Sequence, residues 1–170
     1  MRGRTRPGGG LIMSPPDHPW EPAIPGLLRI LFAALLIMPF AAGAAHAADK
    51  HRLALQISDN SPEKMNAVLN VAANVSRYYT DKAEEIDIVI VAFNAGINML
   101  RADNSPVLER LKSFKQGMPN VSFKACQNTL DTIARRDGKE PPIVDNADRV
   151  TAGVVTLMEL DRQGWTLVRP

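Results

Sequence analysis

The chain has 170 residues, a formal net charge of +2, 45% hydrophobic residues and a single cysteine. A chain of this length can bury a hydrophobic core without the help of disulfide bonds. One cysteine excludes an internal disulfide framework and any iron–sulfur or metal site built from several cysteines, and three histidines leave little for a histidine metal cage.

The first 47 residues have the features of a secretory signal. Residues 1–26 are rich in Pro, Gly and Arg, and the apolar run Ile30 to Phe40 follows. Small residues come next, with an A-x-A cleavage pattern that ends at Ala47. The run is shorter than the roughly 20 residues that span a bilayer. We therefore expect cleavage after Ala47, a periplasmic or secreted location, and no membrane segment after cleavage.

Two alternatives stay open for this signal segment. The first is an uncleaved N-terminal anchor. The second concerns the start of translation, because the region before the apolar run is long for a signal and Met13 would give a more ordinary length.

The mature chain, residues 48–170, is electrically neutral. It carries 16 basic and 16 acidic residues, and its Lys and Arg residues form no stripe. Nucleic-acid binding depends on clustered basic charge, because affinity comes from the release of counterions. We therefore expect no nucleic-acid partner.

The first half of the mature chain predicts a strand, a helix and a second strand. A Ser-Pro pair ahead of the helix is typical of an N-cap followed by the first helical residue. Apolar residues at three-to-four-residue spacing then give this helix one buried face. The second strand is the most apolar run after the signal, and Asn94-Ala95-Gly96 ends it. The predicted elements are a strand at 53–57, a helix from Ser61-Pro62 to Tyr79 and a strand at 86–93.

The second half continues this alternation. A further Ser-Pro pair predicts a helix start, and Gly164 has the position expected just after the last helix. We expect the last helix to face inward through Val150, Val154, Leu157, Met158 and Leu160. The predicted elements are a helix from Ser105-Pro106 to Phe114, a strand at 121–125, a helix that carries Leu130, Ile133 and Ala134 and closes at Asp137-Gly138, a helix from Asp148 to Gln163 and a strand at 165–168.

Strands that alternate with helices of this length predict right-handed crossovers and a mostly parallel sheet. We therefore expect a single α/β domain over residues 48–170, built as three α/β/α layers around a sheet of four or five strands. Ligands bind such sheets outside the carboxyl ends of the strands. This rule selects three segments as candidate site loops: Ser58–Asn60, Asn94–Asn98 and Cys126–Thr129.

Cys126 is the residue with the most chemistry available. It follows the third predicted strand directly, at the edge of the sheet where sites form. If Asn128 or Thr129 caps the next helix, free N–H groups and the positive helix end lie near the sulfur and lower the pKa of the thiol. A thiolate attacks disulfides and accepts sulfane sulfur. The alternative is an inert packing role, because cysteine is also a common small buried residue.

Four further residues of these loops are candidate binding residues: Asn94, Gly96, Asn128 and Thr129. They have the chemistry to bind a small anion or a partner loop, although capping and turn formation are more frequent roles for such residues. The sequence contains no Gly-rich phosphate loop, no G-x-G-x-x-G, no H-E-x-x-H and no G-x-S-x-G. We therefore expect neither a cofactor nor a metal.

Four segments in this order and spacing resemble the DsrE/DsrF-like proteins of the DsrE/TusD superfamily. Together they cover nearly all of residues 52–170, and the third and fourth are the most specific. The segments are 53–57 with Asn66, Leu69 and Asn74; 88–97 with Leu100; 121–130; and 150–154 with Glu159-Leu160, Gln163-Gly164-Trp165 and Pro170.

The resemblance implies an open α/β sheet, frequent assembly into small homo-oligomers and sulfur relay through a cysteine persulfide. The active cysteine of the family lies at the third strand–helix junction, which is Cys126 in this sequence. The sequence departs from the cytoplasmic sulfur-relay members in its export signal and in its lack of companion cysteines.

Two functional hypotheses follow. In the first, Cys126 accepts sulfane sulfur and passes it to the thiol of a partner protein, without a cofactor. In the second, the protein is a non-catalytic periplasmic binding or assembly module in which Cys126 only packs.

Overall fold

The structure, a computed structural model, describes residues 50–170. The predicted signal over residues 1–47, with its cleavage point, lies outside the described residues. Parallel strands alternate with α-helices, and a 3₁₀ helix follows the second strand. The elements are β1 (His51–Ile57), α1 (Pro62–Asp81), β2 (Ile86–Ala92), the 3₁₀ helix (Asn94–Leu100), α2 (Leu108–Gly117), β3 (Val121–Cys126), α3 (Gln127–Asp137), β4 (Ala147–Val150), α4 (Gly153–Arg162) and β5 (Thr166–Val168).

The five strands form one parallel sheet in the order β4-β3-β2-β1-β5. The register places Leu55 beside Ile90, and Ile90 beside Phe123. All three side chains are buried, so apolar residues run in a row across the central strands. Strands covered on both faces are typical of parallel sheets, and they explain the continuous apolar runs in the sequence. The α/β class and the parallel sheet are confirmed.

The helices form two layers, one on each side of the sheet. The larger core lies between the sheet and α1, α2 and α3, and it contains Phe123 and Leu130. The smaller core lies under α4, where Cys126 packs with Val91 and Leu157. This arrangement confirms the three-layer fold. It also places Cys126 on the face of the sheet that α4 covers.

Local signals at several helix ends act as predicted. Ser61 is the N-cap of α1, and its hydroxyl accepts the N–H of Lys64 at 3.3 Å, while Pro62 is the first helical residue. Gly138 and Gly164 follow α3 and α4 with φ angles of 73° and 81°. This left-handed conformation is the usual glycine termination of a helix.

The predicted start of α2 at Ser105-Pro106 is wrong, because α2 begins at Leu108 and its N-cap is Val107. The Ser105 hydroxyl donates to the carbonyl of Met99 at 2.6 Å and accepts the N–H of Val107 at 3.3 Å. The serine thus stabilises a turn that comes before the helix. Hydroxyl groups serve turns and helix caps through the same bonds, so the sequence pattern does not separate the two.

The predicted start of the last helix at Asp148 is also wrong. Residues Ala147–Val150 form β4, which pairs in parallel with β3 and places Val150 beside Cys126. The helix begins at Gly153, and only Leu157 of the five predicted inward-facing residues is fully buried. A four-residue edge strand is too short to give an alternating pattern, and its pairing depends on a free strand edge that only the assembled sheet provides.

Candidate functional site

A cleft of about 670 Å³ opens at the carboxyl ends of β2, β3 and β4. The chain leaves β3 towards α3 on one face of the sheet, and it leaves β4 towards α4 on the other face. Neighbouring strands whose connections go to opposite faces leave a crevice between them, where open parallel sheets bind ligands. The cleft is lined by Phe93, Asn94, Ala95, Ile97, Asn98, Arg101, Cys126, Asn128, Thr129, Thr132, Ile133, Arg136, Ala152, Gly153 and Val154.

The structure brings four of the five predicted site residues together. Cys126, Asn94, Asn128 and Thr129 all line the cleft. The first loop selected from the sequence, Ser58–Asn60, is not part of the lining, although the Asn98 side-chain amide donates to the side-chain oxygen Oδ1 of Asn60 at 2.8 Å. Two of the three candidate loops therefore form the site.

Gly96, the fifth predicted site residue, is buried outside the cleft lining. A Cβ atom on Gly96 would lie 2.2 Å from the carbonyl oxygen of Ile57 and 2.8 Å from the backbone nitrogen of Ser58. The missing side chain lets the 3₁₀ helix pack directly against the end of β1. Gly96 therefore permits a close backbone contact and does not line the cleft, contrary to its prediction as a binding residue.

Cys126 itself is the N-cap of α3, whereas the sequence suggested Asn128 or Thr129 for this position. Strand β3 runs into α3 without an intervening loop, so the last residue of the strand is also the residue before the first helical turn. Cys126 is only 5% exposed, and it is among the residues that line the cleft. The sulfur therefore lies at the positive end of the helix, where negative charge is stabilised.

The surroundings of the sulfur favour its ionised form. Burial has the largest single influence and raises the pKa of the Cys126 thiol. The Thr129 hydroxyl and the backbone N–H groups of Gly153, Thr129 and Asn128 act in the opposite direction. These donors together outweigh burial, and the pKa lies below its ordinary value. The Cys126 side chain itself accepts no capping hydrogen bond of ordinary geometry from α3.

The loops that carry these donors are fastened to one another. The backbone N–H of Asn94 donates to the Thr129 hydroxyl at 3.0 Å, and Asn94 has a left-handed φ of 50°, which Asn tolerates better than most residues. The hydroxyl proton of Thr129 is then free to point towards sulfur. The N–H of Asn128, which has the smallest of these effects on the sulfur, makes its hydrogen bond to the carbonyl of Thr151 at 3.2 Å and ties the start of α3 to the end of β4.

We expect the thiol of native Cys126 to react with iodoacetamide at lower pH than the thiol of the unfolded chain. Only the thiolate reacts, so the rate rises with pH and is half-maximal at the pKa. Because the folded-state pKa is lowered, the native midpoint lies below the unfolded one. For the same reason the contribution of Cys126 to the free energy of unfolding grows as pH rises between the two pKa values, and is lost below them.

The matched variants are Thr129→Val, which removes the hydroxyl, and Thr129→Ser, which keeps it. Alkylation rates are measured from pH 5 to 10. We expect the pH of half-maximal rate to be higher in Thr129→Val than in the wild-type chain, and unchanged in Thr129→Ser. Equal midpoints in both variants would show that this hydroxyl does not act on the sulfur.

Several lining residues were not predicted from the sequence. Three of them, Thr132, Ile133 and Arg136, follow the predicted Thr129 on the same face of α3, at spacings of three, four and seven residues. This helical spacing was the available signal. Lys124, two residues before Cys126 on β3, is not in the lining and pairs with Asp148, with 2.6 Å between Nζ and Oδ2. Arg101 contributes from beyond the 3₁₀ helix, where no local pattern predicts it.

Two structural findings concern metals and membranes. Within residues 50–170, no group of three or more His, Cys, Asp or Glu side chains is arranged to hold a metal ion. Over the same range, no helix combines the length and the apolar character that a membrane crossing requires.

Comparison with known proteins supports the fold. Neither a protein-family model nor a curated protein matches this sequence. Among solved structures, the chain is similar to MTH1491 from Methanobacterium thermoautotrophicum, which is described as a protein of unknown function. The two share 25% sequence identity with a TM-score of 0.59, over 71% of this chain and 100% of the other. The likeness covers the whole of that chain and concerns the fold alone.

Proposed function

We propose that the protein is an exported sulfur carrier whose Cys126 accepts sulfane sulfur and passes it to the thiol of a partner protein. The observation that carries the proposal is the position of this cysteine. The chain's single thiol lies at the N-terminus of α3, in a cleft at the carboxyl edge of the sheet, with a lowered pKa. Sequence resemblance to the DsrE/DsrF-like proteins agrees with this choice of residue.

The reaction needs no redox partner. The Cys126 thiolate attacks the outer sulfur of a persulfide R–S–S–H, the S–S bond of the donor breaks, and R–S⁻ leaves with the bonding electron pair. Cys126–S–S–H is the product, so charge and oxidation level balance across the step. A partner thiolate then attacks the outer sulfur of this product and regenerates the Cys126 thiolate. The helix end and the nearby donors stabilise the negative charge at the start and the end of the cycle.

The test is the intact mass of the protein after exposure to a persulfide donor. One added sulfur atom, removed by dithiothreitol, is the expected result, and the single cysteine assigns the site without further mapping. Protein isolated from the periplasm or medium also reports its N-terminus, which we expect at Ala48. An unchanged mass, with a thiol that resists alkylation until the protein is unfolded, would contradict the proposal and favour an inert cysteine.

One observation favours the second candidate, a binding or assembly module. Helix α4 exposes three large apolar side chains on its outer surface, Val154, Val155 and Met158, at 53%, 49% and 51% exposure. Val154 also lines the cleft. Contiguous exposed apolar surface is a common feature of protein interfaces. The homo-oligomer predicted from the sequence would most simply use this α4 surface.

We expect Val155→Lys to shift the protein to a smaller assembly, because a charge would then be buried at the contact. Light scattering during size exclusion measures the mass of both forms at matched concentration. Gln116→Lys, at an exposed position of α2 in the opposite helix layer, adds the same charge outside the α4 surface and is the control. A wild-type protein that is monomeric at all concentrations would contradict the use of the α4 surface for self-assembly.

A further inference from the structure

Two arginines that the sulfur chemistry itself does not need line the cleft, Arg101 and Arg136, and no Asp or Glu is among the lining residues. Each guanidinium is paired with an aspartate outside this lining, Asp103 for Arg101 and Asp137 for Arg136. The cleft therefore offers guanidinium donors without an excess of positive charge, and such donors suit an anionic ligand.

Each guanidinium group is paired with an aspartate and keeps donors available, Arg101 in a packed position and Arg136 with its side chain 70% exposed. Asp103 accepts from Nε and Nη2 of Arg101 at 2.8 and 2.7 Å, and Asp137 accepts from the same two nitrogens of Arg136 at 2.6 and 2.9 Å. Within the described chain, Nη1 of each arginine has no hydrogen-bond partner. Arg101 is also well packed, since its side chain is only 18% exposed. A positioned guanidinium with a free edge is suited to bind a carboxylate.

The spacing along α3 sets the length of the ligand. Thr129 lies beside the Cys126 sulfur, and Arg136 lies seven residues further on the same face of the helix. Seven residues are two helical turns, or about 11 Å. A small anion such as thiosulfate is too short to reach both ends. A peptide-sized ligand spans this distance, and a cleft of about 670 Å³ has room for one.

The cleft also has polar groups that suit peptide groups. Asn94, Asn98 and Asn128 contribute side-chain amides to its lining. Side-chain amides both donate and accept hydrogen bonds, as the backbone of a peptide requires.

On the basis of the proposed sulfur transfer, we propose that the donor is a low-molecular-weight peptidyl persulfide whose terminal carboxylates bind Arg101 and Arg136 while its outer sulfur meets Cys126. The step is the balanced one given above, in which the Cys126 thiolate takes the outer sulfur and the peptide leaves as its thiolate. The arginines bind the donor and take no part in the bond changes.

The test compares two donors of equal sulfur chemistry, glutathione persulfide, which carries carboxylates, and 2-hydroxyethyl persulfide, which carries none. Loading rates are measured by intact mass on the wild-type chain, on the double variant Arg101→Gln/Arg136→Gln and on Arg77→Gln. Arg77 is exposed on α1, outside the cleft lining, and within the described residues its only side-chain hydrogen bond is to Asn74 on the same helix, so it controls for the loss of charge. We expect the double variant to load at least ten-fold more slowly than the wild-type chain from glutathione persulfide. Its loading from 2-hydroxyethyl persulfide, and the loading of the control variant from glutathione persulfide, should stay within about two-fold of the wild-type rates.

Every other outcome has a definite meaning. Equal slowing in Arg77→Gln, no slowing in the double variant, or equal slowing with both donors would overturn the assignment of the arginines to the donor. In each of these cases loading of the wild-type chain by 2-hydroxyethyl persulfide leaves the proposed function standing. Failure of both donors to load the wild-type chain would overturn the proposed function and this inference together.

Discussion

Replacement of Cys126 by serine should abolish sulfur loading and leave the fold intact. The serine hydroxyl is not ionised at neutral pH and cannot hold a persulfide, so no mass increase of one sulfur should appear with any donor. Serine has almost the size of cysteine, and the residue lies at the edge of the smaller core beside Val91 and Leu157. We expect the free energy of unfolding to fall by about 1 kcal/mol, measured by urea denaturation.

A relocated thiol is the sharpest control for this experiment. Ser122 is four residues before Cys126 on β3 and shares its face of the sheet, but it lies outside the cleft lining. In the double variant Cys126→Ser/Ser122→Cys, the chain keeps one thiol on the same strand and loses the helix end and its donors. We expect this thiol to load no faster than a free cysteine. Loading as fast as in the wild-type chain would remove any special role for the position of Cys126.

Replacement of Gly96 by alanine should lower the free energy of unfolding by about 3 kcal/mol, because the added Cβ has no free space. The atoms it would meet are backbone atoms, with Ile57 O at 2.2 Å and Ser58 N at 2.8 Å, so no side chain can rotate away. The 3₁₀ helix must then move off the end of β1. Urea denaturation of both proteins at one temperature measures the difference.

The matched control is Gly117→Ala at the end of α2. No atom lies within 4 Å of the position of a Cβ on Gly117. Alanine has the higher helix propensity, so we expect no loss and a gain of up to about 1 kcal/mol. A Gly96→Ala protein as stable as the wild type would contradict the close contact between the 3₁₀ helix and β1.

The candidate site shows where sequence patterns are sufficient and where they are not. Asn94, Cys126, Asn128 and Thr129 follow apolar strands, and the carboxyl ends of parallel strands meet at one edge, so their proximity could be predicted. Gly96 satisfies the same rule and still lies outside the lining, because a glycine that permits a close backbone contact looks the same in a sequence as one that faces a ligand.

The sequence by itself determined the α/β class, the parallel sheet and the strand–helix junction at Cys126. These features rest on local causes: apolar runs that suit buried strands, helical spacing of apolar residues, the Ser61-Pro62 start of α1 and the glycines that end α3 and α4. They act over a few residues and can therefore be read along the chain.

The tertiary structure alone decided the strand order, the formation of β4 and the meeting of Arg101 with Arg136 in one cleft. The physical reason is that each depends on groups distant in the chain. Residues Ala147–Val150 become a strand because β3 offers them a free edge, and the cleft exists because the connections after β3 and β4 leave for opposite faces of the sheet. Hydrogen bonds between strands and the packing of layers are set only when the whole sheet assembles, and no local pattern records them.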